Sequence, residues 1–175
     1  MLNLYILSGV NIMNGSYNIT VRDKNSEYNF TIHKKYTLLT GDSATGKSKL
    51  YKMLKNPETE IKVVSTNENA DILSLDSRKD IYLRYLPCKE PTIYVIDDNT
   101  QDYLDIEFKD LMNKSNAYFV IISRKKLVYK RSSKDGTLNY ECLPLSETET
   151  YRISTEIKHN SKNGSEYYSN TFTRI

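Results

Sequence analysis

The chain has 175 residues, 25 Lys+Arg against 22 Asp+Glu for a net charge of +3, and two cysteines. That length suits about one domain with a proper core, and so mild a charge excludes a nucleic-acid or anionic-membrane binder defined by net charge alone. Cys88 and Cys142 fit neither a disulfide-dense secreted scaffold nor a CxxC metal knuckle; they read as small, half-buried apolar side chains in a reducing, cytoplasmic setting.

The opening MLNLYILSGVNIM is interrupted by Asn3, Ser8 and Asn11 and has no basic residue before it, so it does not read as a signal peptide. Nowhere does the chain hold the run of about 18 apolar residues that a spanning helix needs. SYNITV (16–21) and YNFTIH (28–33) flank the polar RDKNSE and predict an antiparallel hairpin. YTLLT (36–40) is a short strand running into Gly41, and KSKLYKMLKN sets Leu50, Met53 and Leu54 at helical spacing, so a helix starts near Gly46 and stops before Pro57. EIKVVS (60–65) returns to strand, and 71–85 carries both a strand and a helix pattern, with the balance toward a short helix.

PTIYVIDDN (91–99) is an apolar run ending in two aspartates, as expected of a strand buried on both faces. A helix follows with Thr100 as N-cap and Leu104, Phe108, Leu111 and Met112 on one face. AYFVIIS (117–123) is a second buried strand. Alternation of strand and helix over this stretch predicts a parallel sheet built by right-handed crossovers. Two further hairpins are expected around 134–136 and 163–164.

GDSATGKS (41–48) satisfies G-x-x-x-x-G-K-[ST] between a predicted strand and a predicted helix. The residue types suit a polyphosphate. Gly41 and Gly46 let the chain wrap closely around it with successive N–H groups of Asp42, Ser43, Ala44, Thr45 and the residues through Lys49 turned inward. Lys47 reaches the β and γ phosphates and Ser48 ligates Mg²⁺. Lys47 is expected to face solvent when no phosphate is bound. Asp97, at the carboxyl end of a strand on the same edge of the sheet, is the acidic partner that the metal needs.

On these residues the chain resembles the P-loop NTPases, with GDSATGKS as Walker A and TIYVIDD as Walker B, over roughly residues 28–125. The resemblance implies an α/β fold: a mainly parallel central sheet flanked by helices, with added N- and C-terminal β-hairpins. Residues 1–146 would form the nucleotide-binding domain, and 147–175 a polar hairpin or tail of the same domain. It also implies ATP, or another nucleoside triphosphate, with Mg²⁺. The spacing of strands is similar to the additional-strand branch that contains the ABC, AAA and RecA-like ATPases. That likeness implies Asp98 as the group polarising water, Ser123 as a sensor of the γ phosphate, and Arg124 as a neutralising or partner-facing cation. YNFTIHKKYTLLTGDSATGKSKL is similar to the N-terminal β segment of ABC-type domains, yet no LSGGQ-like signature precedes Walker B, and Asp98 stands where that branch often has glutamate.

The function these features predict is an ATP-binding, Mg²⁺-dependent ATPase that couples hydrolysis to conformational change or to a partner. Two alternatives stay open: a small-molecule or nucleotide kinase, and a nucleotide-binding switch with little hydrolysis. A homo-oligomer or a protein partner would complete the site. The basic, aromatic-flanked KKYT and RKKLVYKRSSK admit nucleic acid, although a solvated strand face is the simpler reading.

Overall fold

The structure is a computed structural model and describes residues 15–42, 45–65, 70–74, 92–97, 106–123 and 127–175. Its elements are β1 (Tyr17–Arg22), β2 (Ser26–Ile32), β3 (Tyr36–Thr40), α1 (Lys47–Met53), β4 (Glu60–Ser65), β5 (Asp71–Ser74), β6 (Thr92–Asp97), α2 (Ile106–Lys114), β7 (Tyr118–Ile122), β8 (Tyr129–Ser132), β9 (Leu138–Glu141), a 3-10 turn (Leu145–Glu147), β10 (Thr148–His159) and β11 (Glu166–Arg174). Among the described residues, no helix is long and apolar enough to cross a membrane.

The expected α/β class is overturned. Strands dominate the described residues, and nine of them form one mixed sheet in the order β4-β1-β2-β11-β10-β3-β7-β6-β5, with β8 and β9 as a separate hairpin. Five neighbouring strands, β10, β3, β7, β6 and β5, are parallel. The others break the pattern: β1 pairs antiparallel with β2 and β4, β10 pairs antiparallel with β11, and β11 joins β2 in parallel. The expectation failed because it treated the hairpins as additions to a helix-flanked sheet. Their alternating Thr, Tyr and Ile instead make each a half-buried pleated surface with open ladder groups, and such edges are satisfied by joining the sheet.

Two local expectations change as well. EIKVVS is a strand, but as β4 it stands at the end of the strand order, antiparallel to β1, and is not a member of the parallel set. Residues 71–74 form β5 beside β6 rather than the start of a helix. The rest of that segment, with Thr100 and Leu104, lies outside the described residues.

Strands β6 and β7 are buried on both faces, and their alternation divides the core in two. On one face Ile93, Val95, Val120, Ile122 and Leu39 pack with Leu50 and Met53 of α1 and with Tyr17, Ile19, Tyr28 and Phe30 of the first hairpin. On the other, Tyr94, Ile96, Phe119, Ile121 and Tyr36 pack with Phe108 and Met112 of α2 and with Leu127, Tyr129 and Leu143. The Phe119 ring stacks with Tyr36 at 5.9 Å and with Tyr94 at 5.8 Å between centroids. Each such side chain contributes about 1.5–3 kcal/mol on burial. That matters most for α1, because a helix of its length is not stable alone.

Glu149, on β10, ties the amino end of β3 to the sheet. Its buried carboxylate accepts hydrogen bonds from the backbone N–H of His33 at 2.6 Å and of Lys34 at 3.2 Å, from Thr37 Oγ1 at 3.0 Å and from Tyr151 Oη at 3.3 Å. Burial raises the carboxyl, and the bonds from His33, Thr37 and Lys34 outweigh it, so the group sits below the usual carboxylate value of 4.5. A folded-state value below the unfolded one gives stability that is fully present above about 4.5 and is lost as pH falls through the folded-state value. Denaturant midpoints measured from about pH 7 to about pH 3 should therefore fall in acid, and Glu149→Gln should flatten that limb. An unchanged acid limb in Glu149→Gln would show that other carboxylates carry it.

Candidate functional site: the loop between β3 and α1

The turn from β3 into α1 depends on two glycines. Gly46 has φ of +85°, a left-handed conformation that a side chain disfavours, and a Cβ there would lie 2.7 Å from Tyr28 Oη and 3.1 Å from Asn170 Oδ1. At Gly41, with φ of +155°, a Cβ would meet Thr45 Oγ1 at 2.9 Å and the Ile153 carbonyl at 3.0 Å. The sequence pattern thus marks positions that neighbours approach closely, side chains at Gly46 and both a side chain and a backbone carbonyl at Gly41.

Lys47 is the main surprise. It is 5% exposed rather than solvent-facing. Its Nζ turns back into the loop and donates to the carbonyls of Gly41 at 2.5 Å and Asp42 at 2.7 Å, and to Thr45 Oγ1 at 3.1 Å. A long side chain at the first helical position can reach the loop it follows, and the curled backbone presents its carbonyls inward as acceptors. Asp42 and Ser48 are exposed, and Ser43 and Ala44 lie outside the described residues. Lys49 points elsewhere: its Nζ donates to Ser26 Oγ and lies 3.7 Å from Asp23 Oδ2.

The loop is held from behind by residues that the sequence reading did not single out. Tyr28 Oη donates to the Gly46 carbonyl at 2.7 Å, and Thr155 Oγ1 lies 3.1 Å from the Thr45 carbonyl and 2.9 Å from Asn170 Oδ1. Asn170 in turn donates to the Glu27 carbonyl at 3.1 Å. Burial pushes the Tyr28 hydroxyl well above its ordinary value, with Asp23 adding to the effect, so it stays a donor throughout the working pH range. The one signal available in sequence was a polar Asn170 inside an alternating strand.

At the same edge, Leu39 of β3 pairs with Ile122 of β7, and Ile122 pairs with Asp97 of β6. Two strand spacings put Asp97 about 10 Å across from Leu39. The Ser123 N–H donates to the Leu39 carbonyl at 3.0 Å, so Ser123 sits between the loop strand and Asp97, and it is buried. The structure therefore brings Gly41, Thr45, Gly46, Lys47, Ser48, Ser123 and Asp97 to one edge, while Asp98 and Arg124 lie outside the described residues. A larger cavity of about 440 Å³ lies between the β1–β2 and β10–β11 turns, where Arg22 and Glu27 are already paired at 2.7 Å.

No family model and no curated protein matches the chain. Among solved structures, an inward-facing ABC transporter of the metal-chelate type is similar over 93% of this chain and 98% of that one, at 12% identity and a TM-score of 0.34. That is a weak neighbour, below the level at which a fold is assigned.

Gly46→Ala should cost about 1–3 kcal/mol in urea unfolding, from the left-handed backbone and the crowding at Tyr28. Adding Tyr28→Phe removes the nearest atom but also the hydrogen bond to the Gly46 carbonyl, and the backbone strain stays, so it should not restore wild-type stability. Unchanged stability in Gly46→Ala would contradict the described turn.

Proposed function

We propose that the chain binds a nucleoside triphosphate at loop 41–48 and acts as a Mg²⁺-dependent ATPase in which occupancy sets the conformation of that loop. The observation that carries this reading is Lys47: its ammonium is buried within the loop and donates to the oxygens of Gly41, Asp42 and Thr45, so a cation is held inside the loop that the phosphates would occupy. Phosphate oxygens carry full negative charge and would attract this ammonium more strongly than carbonyl oxygens do. Exchange of partners would release Lys47 from the carbonyls of Gly41 and Asp42, so binding and loop rearrangement become one event.

Ser48 and Asp97 would supply hard-oxygen donors of the kind that suits Mg²⁺, which would neutralise charge on the phosphate oxygens. Ser123 is the proposed sensor of the terminal phosphate, supported by its place between β3 and β6. Asp98 and Arg124 are assigned the polarising of water and the neutralising of charge from their positions in sequence.

Calorimetric titration with MgATP tests the reading. The wild type should bind, Lys47→Met should bind at least about tenfold more weakly, and Asp97→Asn should lose the dependence on Mg²⁺. Circular dichroism at the titration temperature checks that each variant is folded, since Lys47 also ties the loop. No binding by the wild type, or full affinity in a folded Lys47→Met, would end the proposal.

A further inference from the structure

The sheet face covered by α1 does not end where the helix begins. Alternation puts Ser26 and Tyr28 of β2, Tyr168 and Asn170 of β11, and Thr155 and Ile157 of β10 on that one face. Register arranges them in two rows. Tyr28, Asn170 and Thr155 form the first, in which Tyr28 and Thr155 lie against the backbone of Gly46 and Thr45 and Asn170 bridges them. Ser26, Tyr168 and Ile157 form the second, about 7 Å further along the strands.

In the second row Ser26 is met by Lys49 of α1, while Tyr168 and Ile157 are exposed. Tyr168 is 50% exposed and Ile157 60% exposed, directly across from each other on paired strands. A cavity of about 200 Å³ runs between Tyr168 and the loop, walled by Gly46, Lys49, Ser26, Thr155 and Asn170. It is smaller than the site of a whole drug-sized ligand, a size for one ring system together with its polar neighbours. Its lining offers the Tyr168 ring for a flat group, with Ile157 next to that ring on the paired strand, hydroxyls of Ser26, Tyr28 and Thr155 for a sugar, and the Lys49 ammonium, which bonds Ser26.

We infer that this shelf, contributed mainly by the C-terminal hairpin, is where the nucleoside of the bound triphosphate lies, with its base stacked on Tyr168 beside Ile157. The inference rests on the proposal that loop 41–48 takes the phosphates, since it is the continuity of the cavity with Gly46 and Lys49 that selects a nucleoside as the occupant. Tyr168 then determines the preference for a nucleotide over its phosphate chain alone.

The full chain is titrated with MgATP and with magnesium tripolyphosphate, which has the phosphates and no nucleoside. The wild type should prefer MgATP. Tyr168→Ala should weaken MgATP by about tenfold, as loss of a stacking partner does, and should leave tripolyphosphate affinity unchanged. Tyr168→Phe, which keeps the ring, should retain MgATP. Equal affinity of the wild type for both probes, or MgATP binding unaffected in Tyr168→Ala, overturns the shelf while leaving the loop assignment standing. Equal weakening of both probes in a folded Tyr168→Ala also overturns it, because the residue would then be supporting the loop. If neither probe binds, the loop assignment fails and the shelf falls with it.

Discussion

A short parallel pairing, residues 148–152 of β10 against 36–40 of β3, joins the two halves of this molecule. On one side of it lie the buried parallel strands β3, β7, β6 and β5; on the other, β11, β2, β1 and β4. Chain connections also tie the antiparallel strands to the loop, through the short β2–β3 turn and the run from α1 into β4, but the seam is what sets β10 beside β3. With it, the Ile153 carbonyl arrives against Gly41, Thr155 reaches Thr45, and Asn170 is carried in beside Gly46 on the paired strand. The strand-to-helix loop is thus shaped by residues more than 100 positions away in sequence. Glu149 secures the same seam from its other end by gathering the N–H groups of His33 and Lys34.

The energetics of the two sheet faces differ in kind. Both are packed with apolar side chains, but one is finished by helix α1 and the other by α2 together with β8 and β9. On the α2 side a charge network adds to packing: Lys109 pairs with Glu141, and Arg131 bonds Glu141 at 2.8 Å and Asp110 at 2.9 Å. Arg131 and Asp110 are well exposed, so solvent screens their contribution to a small one. On the α1 side polar contacts are concentrated at the loop, where they fix backbone. Tyr28 and Thr155 meet the loop backbone from the strands, and Lys47 bonds to it from within.

Several features were legible in the residues themselves. GDSATGKS announces its two glycine positions, and both prove to be places where a Cβ would collide. The apolar runs TIYVID and YFVII announce strands buried on both faces, and the register then sets Asp97 two strands from the loop. The first hairpin follows from alternation around a polar connection. These are local demands of backbone conformation and hydrophobic period, and a single chain displays them directly.

Pairing partners were not legible in that way. EIKVVS would suit a parallel or an antiparallel neighbour equally well, and the choice of β1 was made by which edge remained open. The polar strands 148–159 and 166–174 looked like a terminal addition, yet β10 lies inside the sheet, because a half-buried alternating strand shows only that one face is covered and not by what. Lys47 is the sharpest case. Its presence next to Gly46 is written in the sequence, whereas its burial depends on carbonyls turned inward by a loop that distant strands support. Sequence alone determined which residues stand at the loop and which runs must be buried; tertiary structure decided the mixed sheet, the lysine's partners and the shelf beyond α1, since each arises from contacts between segments that carry no mark of one another.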